Sequence, residues 1–230
     1  MNEFKLKPID ELFNIGESID YIYLNKLETF ENHPFSVNED EDMEKLIESI
    51  KINGVITPVI LREKTNGNYE VISGHRRTYA AHKVGLDKIP AIVKNMTDDE
   101  AVIAMVDANL QRENIKPSEK AKAYKMKMDA MKRTAGRPAK NLSQVATNFN
   151  TATEIGKVAN ESRDQVFRYI RLTHLIPELL ELVDEGKVKL IPAVNVSYLP
   201  NEAQQNLYEA LNIHGKYNIS LKNSDKIRKA

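Results

Sequence analysis

Cysteine is absent from all 230 residues of this chain. Disulfides and thiolate metal sites are therefore excluded, and a reducing cytoplasm is the natural setting. Long apolar runs are missing too. No segment approaches the roughly 20 residues that cross a bilayer, so no membrane-spanning role is expected. The opening residues, Met1-Asn2-Glu3-Phe4-Lys5-Leu6-Lys7, lack the apolar centre of a secretory signal. The five histidines are scattered, with no His-Glu-x-x-His arrangement, which speaks against a metal centre.

Net charge is also lacking, since 33 Lys/Arg balance 33 Asp/Glu. That zero hides a polarised chain. Residues 1–112 carry 13 basic against 20 acidic side chains, a net of −7. Residues 113–150 carry 9 against 3, a net of +6, and residues 151–230 carry 11 against 10, a net of +1. Affinity for phosphate follows local patches rather than the sum, so neutrality does not exclude a nucleic-acid partner. A hydrophobic share of 41% over this length supports two or more compact units.

The front half alternates strand and helix signals. Residues 1–18 read as an arm, in which Phe4, Leu6, Ile9 and Leu12-Phe13 offer a short apolar contact. Ile19 to Leu24 and Leu27 to Phe30 are strand-like. The acidic run Asn38 to Asp42 marks a helix start, followed by Met43, Leu46, Ile47 and Ile50 at helical spacing and closed by Asn53-Gly54. Pro58 to Arg62 and Tyr69 to Ile72 flank Asn66-Gly67, predicting a hairpin whose tight turn takes positive φ angles. Ala91 to Val93 is one more strand. Thr97-Asp98-Asp99-Glu100 forms a capping box for a helix through Leu110, and Pro117-Ser118-Glu119 starts another that ends near Arg133.

Behind it, residues 134–150 read as a loop, and the rest is helical with breaks at Gly186, Pro192 and Pro200. A final amphipathic helix over 201–213 precedes a Lys/Asn/Ser-rich tail that reads as frayed. The fold class is α+β: a small mixed-sheet domain in front and an all-α domain behind.

Between two of these elements lies Ile72-Ser73-Gly74-His75-Arg76-Arg77. A strand enters a glycine turn, and two arginines open the next helix. Backbone amides at a helix N-terminus and two guanidiniums suit a phosphate group, although such turns also cap helices without any ligand.

Glu154 to Ala159, Asn160-Glu161 and Ser162 to Leu172 read as helix, turn and helix. Ile155, Val158, Val166 and Ile170 supply the apolar positions of a helix-turn-helix, and Gly156 stands where two helices must approach. Ser162 is a natural N-cap, and Asn160 tolerates the left-handed conformation. Arg163, Gln165 and Arg168 are the candidates for base contacts, because Arg and Gln read guanine and adenine edges bidentately in the major groove. Arg171 and Lys157 are candidates for phosphate. The blander alternative is an ordinary amphipathic helix pair. Ala135-Gly136-Arg137-Pro138 suits either a minor-groove contact or a hinge.

Three boxes in order carry a family resemblance. Ser49-Ile50 through Gly54 to Pro58, then Gly74-His75-Arg76-Arg77 with Ala80 and Ala81, then Asn109-Leu110-Gln111-Arg112-Glu113-Asn114 before Ser118 to Ala121, resemble the ParB family of partition proteins. The resemblance spans roughly residues 19–200. It implies a ParB/sulfiredoxin-like domain over 19–113, a basic helix and helix-turn-helix domain over 114–200, and a C-terminal helix and tail over 201–230. It further implies a CTP pocket built from Gly54, Gly74, Arg76, Arg77, Asn109, Gln111 and Arg112, with Asn109 offering an oxygen to Mg²⁺.

Partners implied in the same way are double-stranded DNA, a second copy of the chain as homodimer, and a ParA-type ATPase. The setting implied is the cytoplasm, on the nucleoid or a plasmid, and the function is partition of a chromosome, plasmid or mobile element. The alternative is a helix-turn-helix transcriptional or copy-number regulator whose front domain binds no nucleotide. Two departures bear on any CTPase activity: His75 replaces the family glutamate of the second box, and Ala108 replaces the acid tied to Mg²⁺ and hydrolysis. Alanine can neither ligate a metal nor orient a water, and Asp107 points about 100° away on a helix. The turn also resembles that of sulfiredoxin, but the reactive cysteine of that enzyme is missing.

Overall fold

The computed structural model describes residues 18–112, 114–134, 144–215, 217 and 219–229. The apolar arm around Phe4 to Phe13 and the Ala135 to Pro138 segment lie outside the described residues. The chain divides into two compact units, residues 1–109 with 133–135, and residues 110–132 with 136–230.

The first unit is built on five strands, β1 (Asp20–Tyr23), β2 (Leu27–Glu28), β3 (Val59–Glu63), β4 (Tyr69–Ser73) and β5 (Lys88–Lys94), in the order β1-β5-β3-β4-β2. The sheet is mixed: β3 runs parallel to β5 and antiparallel to β4, β1 is antiparallel to β5, and β2 is parallel to β4. The central β3 carries the continuous apolar run Val59-Ile60-Leu61, and all three residues are buried. Among the described residues three helices accompany the sheet: α1 (Glu41–Asn53), α2 (His75–Val84) and α3 (Asp98–Leu110). Met43 and Ile50 of α1 meet Ala80 of α2 in one apolar cluster. The capping box forms as read, with Thr97 N–H donating to Glu100 Oε2 at 2.9 Å and Glu100 N–H to Thr97 Oγ1 at 3.3 Å.

The hairpin is present, but its turn differs from expectation. Only Gly67 of the Asn-Gly pair has a positive φ, 78°. Gly67 N–H donates to the Lys64 carbonyl at 3.0 Å, so the turn starts earlier in the chain. The Asn66 side chain then accepts from Asn68 N–H at 3.0 Å, a local contact that asparagine makes readily.

The second unit is helical: α4 (Pro117–Thr134), α5 (Gln144–Ala159), α6 (Arg163–Arg171), α7 (Pro177–Asp184), α8 (Leu190–Val196), α9 (Asn201–His214) and α10 (Leu221–Lys229). Leu172, Leu179, Leu182, Val183, Val188, Ala193 and Val196 form its core with Ala121 and Ile219.

Three expectations change here. The loop read over 134–150 gives way to helix from Gln144, because burial of Ala152 and Ile155 outweighs weak local propensities. Pro192 does not break the chain; it sits in the first turn of α8, where its missing N–H has no intrahelical partner to lose. The tail is not frayed but forms α10, held where Asn195 Nδ2 donates to Ser224 Oγ at 3.0 Å and Asp225 Oδ1 at 2.8 Å.

Candidate functional site

In the first unit, Gly74 caps α2 with φ 105° and ψ 22°. A Cβ there would lie 2.6 Å from Val59 Cγ1, so both the angle and the space require glycine. The turn presses on β3, and the next residues enter the helix at once.

Both arginines of the turn already hold partners. Arg77 is partly buried, and its Nη1 donates to the carbonyls of Thr57 at 2.6 Å and Pro58 at 2.7 Å. Desolvation lowers its pKa from the ordinary arginine value. This contact joins the Gly54–Pro58 turn to the Gly74–Arg77 turn, two of the three expected boxes. Arg76 forms a forked pair with Asp40, at 2.8 and 3.2 Å. Asp40 also caps α1 by accepting from Met43 N–H at 2.8 Å, and the Arg76 guanidinium first, then that N–H, holds its carboxyl below the usual range. Beside it, Glu39 takes the Tyr79 hydroxyl and the Lys83 ammonium. The acidic run, expected from the sequence to serve the helix dipole, thus also holds Arg76, and no local signal marks that second role.

His75 is buried and packs against His33, with ring centroids 3.8 Å apart and the rings tilted by 40°. The residue that replaces the family acid is therefore packed against the 33–35 loop. Asn109 is also buried, and its amide nitrogen donates to the Met105 carbonyl one turn back at 2.8 Å. Gln111 and Arg112 belong to the second unit. Among the described residues no group of three or more His, Asp or Glu is arranged to hold a metal ion. The donors at Gly74 to Arg77 fit an anionic phosphate. The bond from Asn109 to Met105 uses the amide nitrogen and leaves the side-chain oxygen as the atom that could face a cation.

In the second unit, α5 is followed by a turn at Asn160-Glu161 and then by α6. Asn160 has φ 53°, and Ser162 Oγ accepts from Gln165 N–H at 3.2 Å. A Cβ on Gly156 would lie 2.4 Å from the Glu161 carbonyl oxygen, so its close neighbour is the turn rather than the second helix. Ile155 and Val166 are fully buried, whereas Val158, expected in the core, is 37% exposed at the solvent edge of α5.

Arg163 and Arg168 are exposed on α6. Arg163 forks onto its neighbour Asp164, and Arg168 Nη1 donates to Gln165 Oε1 at 3.2 Å. Lys157 is exposed on α5. Arg171 differs: it donates to Ser197 Oγ at 3.0 Å and to the Ser197 carbonyl at 2.6 Å, and it stacks on Tyr198 with its guanidinium carbon 4.0 Å from the ring centroid. It ties α6 to the end of α8. Burial first, then the charges of Arg171 and Lys125, hold the His174 pKa below the ordinary value.

Residues 10–110 match the ParB N-terminal domain. A nucleoid occlusion protein of Listeria monocytogenes is 35% identical over 202 residues, covering 86% of this chain and 64% of the relative. A probable chromosome-partitioning protein ParB of Neisseria meningitidis is 29% identical over 194 residues, covering 80% and 62%. The chain thus spans about two-thirds or less of the length of these relatives. Among solved structures, the C-terminally truncated chromosome-partitioning protein ParB of Caulobacter crescentus, complexed to the centromeric parS site, is 21% identical with a TM-score of 0.54. It covers 92% of this chain and all of that one. A Pnob8-like ParB-N domain is 18% identical with a TM-score of 0.53, covering 86% and 82%. At such identities the likeness speaks for the fold. Residues 10–110 thus carry the ParB N-terminal domain, and over most of its length the chain resembles nucleoid occlusion and chromosome-partitioning proteins.

Proposed function

We propose that the chain binds double-stranded DNA sequence-specifically, as a homodimer, in partition or nucleoid occlusion. The observation that carries this reading is α6, a capped helix of a helix-turn-helix with Arg163, Gln165 and Arg168 on its accessible side. These side chains have the donor patterns that read purine edges, while Lys157 suits phosphate. One such helix reads only a few base pairs, which favours two copies on a palindromic site. The 35% identity to a nucleoid occlusion protein supports the same class of function. Selection of duplexes from a random pool, repeated with Arg163→Ala and Arg168→Ala, tests it. Unchanged preference in both variants removes α6 as the reading element.

The front domain is proposed to take CTP, with Gly54, Gly74, Arg76 and Arg77 on the nucleotide and Asn109, Gln111 and Arg112 completing the set by family resemblance. Nucleotide binding there switches the DNA-bound state, and Ala108 favours binding over turnover. A ParA-type ATPase is the proposed partner. A second reading is favoured by one observation: Arg76 and Arg77 are both occupied by protein acceptors. On that reading the front domain only assembles, and the protein is a plain DNA-binding regulator. Calorimetry with CTP and Mg²⁺ in the presence of DNA separates the two, because heat above background requires the switch.

A further inference from the structure

We propose that α4 is part of the DNA-reading element: Lys120, acting through Glu161, and Tyr124, acting through the ring of Tyr169, are positioning residues for α6. The inference rests on α6 being the helix that reads DNA. Glu161 stands in the turn between α5 and α6, and its backbone and side chain are both engaged. Its N–H donates to the Gly156 carbonyl at 2.8 Å, and its own carbonyl fills the space that a Gly156 side chain would need. Its carboxylate accepts from Lys120 Nζ at 2.6 Å, with the two side chains only 14% and 24% exposed.

The same ammonium lies 5.2 Å from the ring centroid of Tyr169, on α6. Tyr124, fully buried on α4, meets that ring edge-on at 5.8 Å. Burial, followed by the neighbouring Glu161 charge, raises the Tyr124 phenol pKa above its ordinary value. At the start of α4, Ser118 N–H and Oγ donate to Asp184 of α7 at 2.8 and 2.5 Å, fixing the helix at a second point.

Helix α6 has only nine residues, too few to hold its orientation by its own hydrogen bonds. Its inner side is Tyr169 and Val166; its outer side carries Arg163 and Arg168. Each residue turns the helix by about 100°, so a shift in the seat of Tyr169 is carried rigidly to the adjacent Arg168. Base-edge hydrogen bonds are directional, whereas phosphate attraction is not. Loosening the Lys120–Glu161 link therefore costs sequence discrimination before it costs general affinity.

The test uses the full chain and a duplex it selects from a random pool, alongside a scrambled duplex. Glu161→Gln keeps shape and removes charge, and Tyr124→Phe keeps the ring and removes only the hydroxyl. Glu161→Gln is expected to weaken selected-duplex binding about tenfold, a coupling typical of residues in contact. Binding to the scrambled duplex and the slope of affinity against salt stay unchanged, since neither residue touches phosphate. Tyr124→Leu, which removes the ring that meets Tyr169, shifts the same ratio in the same direction by less, and Tyr124→Phe, which keeps that ring, leaves it unchanged. The exchange Lys120→Glu with Glu161→Lys restores the ratio.

Equal loss on both duplexes, or a salt slope reduced by about one in Lys120→Ala, would overturn the proposal in favour of bulk unfolding or a direct phosphate contact. Arg163→Ala and Arg168→Ala keep the two levels apart. If those variants leave sequence preference unchanged, the DNA reading itself fails. If they change it while Glu161→Gln does not, only the role of α4 fails.

Discussion

The two regions rich in arginine differ in what their guanidiniums face. At the Gly74 turn, Arg76 is forked onto Asp40 and Arg77 is bonded to the Thr57 and Pro58 carbonyls. On α6, Arg163 and Arg168 stay exposed and engage near neighbours, Asp164 and Gln165. An incoming anion must displace the distant carboxylate of Asp40 from Arg76, whereas on α6 Arg163 faces only its sequence neighbour Asp164 and Arg168 faces the neutral Gln165 amide. Positive charge in a sequence thus says little about readiness to bind; the competing acceptor decides it.

The glycines give the harshest way to break each region. Gly74→Ala faces both a positive φ and a Cβ 2.6 Å from Val59 Cγ1. Adding the left-handed penalty to overpacking gives a loss of about 3 kcal/mol. Gly156 has no unusual φ, but its Cβ would meet a backbone carbonyl oxygen at 2.4 Å, and overpacking alone gives about 2 kcal/mol. Denaturant unfolding of both variants checks the order. A loss below about 1 kcal/mol in Gly74→Ala would mean that the turn relaxes freely and that neither the angle nor the space demands glycine.

Arg168→Ala and Arg163→Ala sharpen the comparison from the open side. Each should weaken the selected duplex by about 1–3 kcal/mol, roughly fivefold to 150-fold, and relax preference at one position. Lys157→Ala should weaken all duplexes alike and reduce the salt slope by about one. Fluorescence anisotropy at three salt concentrations distinguishes these outcomes. Arg171→Ala is the internal contrast: its contacts to Ser197 and Tyr198 predict lowered thermal stability along with any loss of binding.

Asp40→Asn opens the closed side. Asparagine keeps the helix cap but removes the charge that holds Arg76. Affinity for CTP, or for inorganic triphosphate as a simpler probe, should rise about twofold to fivefold, the scale of a partly exposed ion pair. A fall in affinity would instead make Asp40 a support that orients Arg76 for the ligand.

What the sequence revealed follows the range of the interaction. Caps, turns and strands written in a few adjacent residues were legible: the Thr97 box, the Ser162 cap, the left-handed Asn160 and the apolar β3 run all stand where their residues imply. Features set by distant partners were not. Gln144 to Asn150 looks like loop until Ala152 and Ile155 are buried, and the tail looks frayed until Asn195 meets Ser224 and Asp225. The same holds at the candidate sites. Order in the chain identified the Gly74 turn and α6, but not Asp40 on Arg76, Glu161 on Lys120, or Ser197 on Arg171, because nothing local marks a pair separated by 26 to 41 residues.

The smallest expected effect is a pH dependence confined to the closed region. Asp40 titrates below its ordinary value because its charged form accepts from Arg76 and from Met43 N–H. A depressed carboxyl contributes its contact fully above the unfolded value of about 3.9, and loses it as pH falls through the folded one. Lowering the pH through that window should therefore free Arg76 without mutation, and affinity for an anion that keeps its charge there should rise toward that of Asp40→Asn. The two proteins converge at the acid end and are already apart by about pH 4, since the folded Asp40 titrates below the ordinary value. Arg168 faces the Gln165 amide, which does not titrate, so its share of the sequence preference should not follow the same curve. Carboxyl-carbon NMR of Asp40 supplies the check: a midpoint at or above the ordinary aspartate value would mean that Asp40 and the anion do not compete for Arg76.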